Sequence, residues 1–147
     1  MKKSIILFLS AFTLGIVFTS CTKDDSGPVE MNFIEGKWNF NKSTATSGGF
    51  TIPYTTDYFK NEDGCSKDYI ELIAGGVVKY GNYTTACAFE EKIGTWSQNG
   101  NTIIISVSGT SFNGTFNVAS LSETELLLKI DGTYGGNSGT FNLYFTK

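Results

Sequence analysis

The side chains of this 147-residue chain that could serve in catalysis or metal binding are 14 carboxylates and three cysteines. The chain has no histidine. Histidine is the commonest general base and metal ligand, so Ser-His triads and histidine metal sites are excluded for this sequence. The chain also has no arginine and carries a net charge of −3. Nucleic-acid binding depends on cationic contacts to phosphate, so we predict no nucleic-acid partner.

Acid/base catalysis by carboxylates requires two of them to converge. The central part of the chain offers these candidates: Asp57, Glu62, Asp63, Asp68, Glu71, Glu90 and Glu91. Their spacing brings no two of them together, and Glu71 faces away from Ile70 and Leu72 in a strand-like stretch, which predicts exposure to solvent. We therefore interpret these residues as surface charge and predict no enzyme activity, no metal site and no cofactor.

The amino terminus combines two lysines with an apolar run over residues 5–18. This length fits the core of a signal peptide, whereas a membrane-spanning helix needs about 20 apolar residues. The run ends in Phe18-Thr19-Ser20-Cys21, which resembles the lipobox of bacterial lipoproteins. The resemblance implies that a signal peptide, residues 1–20, is removed and that Cys21 then carries lipid, including palmitate-type acyl chains. A free thiol at a flexible amino terminus is the alternative.

Residues 21–32 follow as a polar tether with little apolar content to bury. Within it, Lys23-Asp24-Asp25 resembles the tag that exports lipoproteins to the cell surface in Bacteroidota. The resemblance implies a protein anchored to the outer membrane by its lipid and displayed at the cell surface. The alternative is the periplasmic face of the same membrane.

With Cys21 assigned to lipid, Cys65 and Cys87 remain as an even pair. Exported proteins meet an oxidising environment, in which such pairs form disulfides. Two thiolates without a histidine nearby do not complete a tetrahedral zinc site. We predict a Cys65–Cys87 disulfide.

From residue 33 onwards, apolar and polar side chains alternate with period two, which is typical of strands with one buried face. Asn99-Gly100 between two such stretches is a strong hairpin signal, because type I′ turns need positive φ twice. Residues 43–61 show no regular period. We predict eight strands, at residues 34–41, 69–72, 77–80, 93–97, 102–108, 112–118, 126–131 and 141–146. Successive hairpins favour an all-β, eight-stranded antiparallel up-and-down barrel, with a β-sandwich as the alternative.

Two Gly-x-Trp sequences lie in this region, Gly36-Lys37-Trp38 and Gly94-Thr95-Trp96. With the strand pattern, they resemble the lipocalin-like domain of small bacterial lipoproteins of the Bacteroidota type. The resemblance covers residues 33–147 and implies a lipocalin-like barrel. In true lipocalins an arginine of the last strand packs on the tryptophan, and here Lys147 or Lys129 is left for that position.

Large aromatic residues at inward positions are expected to fill most of this barrel, with a ligand cavity as the alternative. These residues are Trp38, Phe40, Trp96, Phe112, Phe116, Phe141 and Phe145. The irregular stretch adds Phe50, Tyr54, Tyr58 and Phe59, residue types that are common in binding surfaces. Its alternative role is a lid or edge strand that packs over one end of the barrel.

These patterns predict a non-enzymatic module that binds a small apolar or glycan-like ligand at the mouth of the barrel. The residues predicted to bind it are Trp38, Phe50, Tyr54, Tyr58 and Trp96. The alternative function is a structural or accessory subunit that docks another protein of the cell envelope.

Overall fold

The computed structural model describes residues 34–134 and 137–147. The strands are β1 (Gly36–Ser47), β2 (Phe50–Pro53), β3 (Tyr69–Ile73), β4 (Val77–Tyr83), β5 (Phe89–Asn99), β6 (Thr102–Ser106), β7 (Gly114–Leu121), β8 (Glu125–Tyr134) and β9 (Asn137–Thr146). A 3₁₀ turn, Thr85–Cys87, joins β4 to β5. None of the helical turns in these two ranges has the length and apolar character to cross a membrane. The predicted signal peptide, Cys21 and the tether lie outside the described residues.

The strands close into a barrel because the last strand pairs with the first. Each strand from β3 to β9 pairs antiparallel with the next, β1 pairs with β3, and β9 pairs back with β1 from Asn39–Thr146 to Thr46–Thr140. β2 pairs with the far end of β1 and lies outside this ring. The ring therefore has eight strands, which confirms the predicted up-and-down barrel over the sandwich.

β1 is longer than predicted, and the chain after it forms a regular hairpin. The strand continues to Ser47, turns at Gly48 and Gly49, where φ is 58° and 83°, and returns as β2. The prediction of an irregular chain from residue 43 is therefore wrong for this hairpin. Its strand period is hidden because serines and threonines occupy both faces of β1 beyond Asn41.

Aromatic and branched side chains fill the barrel. The predicted inward residues Trp38, Phe40, Phe112, Phe116 and Phe145 are 0–4% exposed. Trp96 and Phe141 are half-buried. An additional ring, that of Phe59, enters from the connection between β2 and β3, with its centroid 5.0 Å from those of Phe40 and Phe112. The interior is thus packed, as predicted.

The two ends of the barrel differ, and we call them the base and the mouth. The base holds the start of β1 and the β3–β4, β5–β6 and β7–β8 turns, while the mouth holds the β4–β5 and β6–β7 connections. At the base, the buried Trp38 donates its indole N–H to the carbonyl of Ile34 at 2.6 Å. The Lys147 ammonium lies 4.5 Å from the centre of the Trp38 ring, so this lysine takes the packing position considered from the sequence.

Residues 54–68, which we call the crossing segment, cover the mouth between β2 and β3. The predicted disulfide is present and links Cys65 of this segment to Cys87, with the two Cα atoms 5.2 Å apart. Cys87 belongs to the 3₁₀ turn between β4 and β5. The crossing segment is therefore tied covalently to the neighbouring β4–β5 connection at the rim of the mouth.

Asp68, which is fully buried, provides a second attachment of the crossing segment. One carboxylate oxygen accepts the backbone N–H groups of Lys60 and Asn61 at 2.8 and 3.0 Å, and the other accepts that of Tyr83 at 2.8 Å. The Asn61 side chain returns a hydrogen bond to the Phe40 carbonyl at 2.8 Å. These bonds hold the segment against β1 and β4.

Candidate functional site at the barrel mouth

Aromatic side chains line a cavity of about 230 Å³ between the crossing segment and β9. We call it the aromatic cavity. Its lining consists of Tyr54, Thr56, Asp57, Tyr58, Ser111, Phe141 and Leu143. The rings of Tyr54 and Phe141 meet with centroids 4.9 Å apart, so aromatic faces from two separate parts of the chain form one wall.

Hydrogen bonds of the crossing segment set the positions of the two tyrosines. The Tyr54 backbone N–H donates to the Ser43 carbonyl at 3.1 Å, and the Ser43 hydroxyl donates to the Tyr54 carbonyl. The buried hydroxyl of Thr56 accepts the Tyr58 N–H at 2.6 Å. Tyr80 of β4 donates its hydroxyl hydrogen to the Tyr58 carbonyl. These hydrogen bonds hold the backbone that carries Tyr54 and Tyr58 into the aromatic cavity.

A second cavity, of about 220 Å³, lies beside the first at the mouth. We call it the polar cavity, and it is lined by Asp57, Tyr80, Asn82, Glu90, Lys92, Gly109, Thr110 and Ser111. Asp57 and Ser111 line both cavities, and the Ser111 hydroxyl donates to the Asp57 carbonyl at 3.2 Å. This exposed hydrogen bond marks the boundary between the cavities.

The β1–β2 hairpin adds an apolar groove of about 190 Å³, which shares Phe141 with the aromatic cavity. The other residues of this hairpin groove are Ala45, Thr46, Ser47, Phe50, Ile52 and Gly139. Phe50 and Ile52 are 79% and 58% exposed. Apolar surface thus continues from the aromatic cavity along the inner side of the hairpin.

Burial and nearby negative charges raise the pKa values of two tyrosines at the mouth. Burial raises the pKa of Tyr80 to about 12, and the negative charges of Asp68 and Glu90 contribute to the increase. Burial also raises the pKa of Tyr58, with smaller contributions from Tyr54 and Asp57. Both phenols are therefore neutral at physiological pH and present hydrogen-bonding and aromatic surface without charge.

Comparison with known families adds to this geometry. The sequence profile of the lipocalin-like domain matches residues 34–128. The chain belongs to this family. Lipocalin-like domains are generally binding folds rather than enzymes. No curated protein matches the chain at a significant level.

Solved structures show the same fold. A lipocalin-like protein from Bacteroides uniformis ATCC 8492 is 18% identical, with a TM-score of 0.50, and the match covers 77% of this chain and 96% of that one. Lobster apocrustacyanin A1 is 14% identical, with a TM-score of 0.51, and the match covers 80% of this chain and 62% of that one. At these identities the likeness concerns the fold alone.

The lipocalin-like barrel separates the predicted ligand residues into two groups. Tyr54 and Tyr58 line the aromatic cavity, and Phe50 lines the adjoining hairpin groove. Trp38 is buried at the base, and the half-buried Trp96 donates its indole N–H to the Ile73 carbonyl at 2.9 Å beside the β3–β4 turn. The structure therefore brings the first three residues together and places both tryptophans at the other end.

Sequence reasoning did not find several residues of the mouth. Phe141 was placed on the inward face of β9 by its alternation, but its position against Tyr54 depends on the course of the crossing segment. Asp57 and Glu90 line one cavity although they are 33 positions apart. Barrel closure brings them together, and no local pattern carries that information.

The remaining surface features are less suited to a ligand. An open polar hollow of about 340 Å³ on the outside of the barrel is lined by Thr46, Asn117, Lys129, Asp131, Thr140 and Asn142. The side-chain amide of Asn142 donates to the hydroxyls of Thr44 and Thr46 at 3.1 and 3.3 Å. Some polar groups of this hollow are therefore already hydrogen-bonded within the protein. In the described part of the chain, no group of three His, Cys, Asp or Glu side chains is arranged to hold a metal ion.

Proposed function

We propose that this protein is a lipid-anchored outer-membrane lipoprotein whose lipocalin-like barrel binds a small apolar or glycan-like ligand at its mouth. The observation that carries the binding proposal is the aromatic cavity, in which Tyr54, Tyr58 and Phe141 surround a space of about 230 Å³. Binding sites for small molecules are typically concave and mainly apolar, with a few polar groups that fix orientation. We assign the protein no catalytic role.

The packed interior directs the ligand to the mouth rather than to the centre of the barrel. Phe59 is 1% exposed and its ring lies 5.5 Å from that of Phe145, deep in the barrel. Displacing this ring would also disturb the buried bonds of Asp68 to the crossing segment. A ligand in the aromatic cavity, between the crossing segment and β9, leaves both Phe59 and Asp68 in place.

The lining of the mouth suits a ligand with a flat apolar face. Tyrosine supplies a large contact area with few rotatable bonds, and its hydroxyl provides a polar contact at the edge. The hairpin groove continues the apolar surface past Phe141 and lengthens the site beyond a single ring. Such a surface accommodates the apolar face of a sugar as well as an aromatic ring.

We expect Tyr54→Ala to weaken binding of a neutral apolar fluorescent probe, N-phenyl-1-naphthylamine, by about tenfold, because it removes one wall of the aromatic cavity. Tyr54→Phe keeps the ring and should retain binding within about twofold. Titration of probe fluorescence against the purified protein measures both effects.

Tyr144→Ala is the matched control, since it makes the same change on β9 at a residue whose ring lies 5.1 Å from the Lys42 ammonium, on the outside of the barrel. Equal loss in Tyr54→Ala and Tyr144→Ala, with unchanged thermal unfolding, would contradict the proposed site. Native mass spectrometry of protein extracted from membranes adds a separate readout. A co-purifying protein in place of a small molecule would support the alternative docking function.

A further inference from the structure

Two carboxylates of the mouth form no ion pair with the residues that the structure describes. Asp57 and Glu90 both line the polar cavity. Within the described ranges, the only ion pairs that fall within 4.0 Å join Lys79 to Glu71 and Glu91. Neither the Asp57 nor the Glu90 carboxylate takes part in a side-chain hydrogen bond there, since Asp57 contributes only its backbone carbonyl to Ser111. Both carboxylates are thus available to a ligand.

One cation lines the same cavity, where it is hydrogen-bonded to the backbone. The Lys92 ammonium donates to the Gly109 carbonyl at 2.6 Å and lies more than 4 Å from both carboxylates. Two negative charges and one positive charge therefore line this space. The polar cavity is net negative.

The negative charge also acts on the aromatic side of the mouth. Glu90 contributes to the raised pKa of Tyr80, and Asp57 contributes to that of Tyr58. Tyr80 lines the polar cavity, whereas Tyr58 lines the aromatic cavity. The negative charge of Asp57 therefore acts on both sides of the boundary, whereas Glu90 acts within the polar cavity.

We propose that the mouth selects an organic cation with an apolar body, whose ring occupies the aromatic cavity and whose ammonium group lies beside Asp57 and Glu90. Asp57 lines both cavities, so a short linker between ring and ammonium is sufficient. Hydrogen bonds from an ammonium to a carboxylate are stronger than those from a neutral hydroxyl. This inference rests on the proposed ligand-binding function and names the ligand class.

Three probes with the same indole ring test the inference: tryptamine carries an ammonium, tryptophol a hydroxyl and indole-3-acetate a carboxylate. We expect tryptamine to bind the full-length protein about threefold to tenfold more tightly than tryptophol at low salt, with indole-3-acetate the weakest. Addition of 0.5 M NaCl should reduce the preference for tryptamine, because exposed charges are screened. Isothermal titration calorimetry or ligand-observed NMR measures the affinities.

Variants assign the preference to the two carboxylates. Asp57→Asn and Glu90→Gln should each reduce the preference for tryptamine over tryptophol, measured as the ratio of the two affinities. Glu35→Gln is the matched control, because it removes one negative charge from an exposed residue at the base. It should leave all three affinities unchanged, and an equal effect of Glu35→Gln would overturn the assignment by showing attraction to the acidic protein as a whole.

The outcomes separate this inference from the function on which it rests. Equal binding of tryptamine and tryptophol, or tighter binding of indole-3-acetate, would overturn the cation preference and keep the aromatic site. Failure of all three indoles to bind would overturn both. Loss of tryptophol binding in Asp57→Asn would also count against the inference, since the carboxylate would then be needed for the shape of the site rather than for charge.

Discussion

At the scale of single residues, the mouth depends on a carboxylate, that of Asp68, which has no ion pair with any residue that the structure describes. Asp68 is fully buried and accepts three backbone N–H groups, two from the crossing segment and one from β4. A buried N–H group without an acceptor is destabilising, because it has lost its bonds to water. Asp68 thus acts as the acceptor that allows an irregular segment to pack against the barrel.

We expect Asp68→Asn to lower the free energy of unfolding by about 2 to 3 kcal/mol, because an amide NH₂ would replace one oxygen and face N–H donors. Urea denaturation measures the change. Glu71→Gln is the control: its carboxylate lies 3.7 Å from Lys79 and is partly exposed, so the loss should stay below about 1 kcal/mol. Similar losses in the two variants would contradict the role given to Asp68.

Among single residues, the sequence predicted the disulfide but not the buried position of Asp68. Asp68 belonged to a group of carboxylates interpreted as surface charge, and it is 0% exposed. That interpretation was wrong for Asp68, because the donors to its carboxylate are backbone N–H groups of residues 60, 61 and 83, which only the folded mouth brings together. The disulfide was predictable, since counting cysteines requires no knowledge of the fold.

At the scale of elements, the second Gly-x-Trp sequence marks a place where two strands come unusually close. A Cβ atom on Gly94 of β5 would lie 2.0 Å from the carbonyl oxygen of Ser106 of β6. That oxygen belongs to the backbone and cannot turn aside as a side chain would. The glycine therefore allows β5 and β6 to approach each other in the ring.

We expect Gly94→Ala to destabilise the barrel by about 1 to 3 kcal/mol, because the added methyl group has to separate the two strands. Thermal and urea unfolding measure the loss. Thr95→Ala, at the next position of β5 with an exposed side chain, is the control and should change stability by about 0.5 kcal/mol at most. A neutral Gly94→Ala variant would show that the ring tolerates a wider spacing here.

The alternation of apolar and polar residues predicted the strands of the barrel but not the course of the crossing segment. The period of two is imposed locally by the pleat, so the eight strands of the barrel follow from the sequence, although β1 ends six residues later than predicted and β5 and β9 each begin four residues earlier. The crossing segment has no period, and its course is set by contacts of Phe59 with distant rings and by the bonds of Asp68. The candidate site is made largely by this segment, which explains why Tyr54 and Tyr58 were found while their partners were not.

At the scale of the whole molecule, the proposed anchor is testable independently of the ligand. We expect Cys21→Ser to move the protein from membrane to soluble fractions, because stable membrane attachment requires acyl chains. Cell fractionation with immunoblotting measures the distribution. Retention of Cys21→Ser in washed membranes would contradict the lipid anchor, and Cys65→Ser serves as the control for loss of a different cysteine.

The hydrogen bond between Trp38 and Ile34 has a consequence for orientation. It fixes the point where the chain enters the barrel, and that point lies at the base. Twelve residues separate Cys21 from Ile34, so their Cα atoms lie at most about 45 Å apart when the chain is extended. With the proposed lipid on Cys21, the tether reaches the barrel at its base, at the end opposite the mouth. We expect an anchor attached there to leave the mouth unobstructed and open to molecules in the surrounding water.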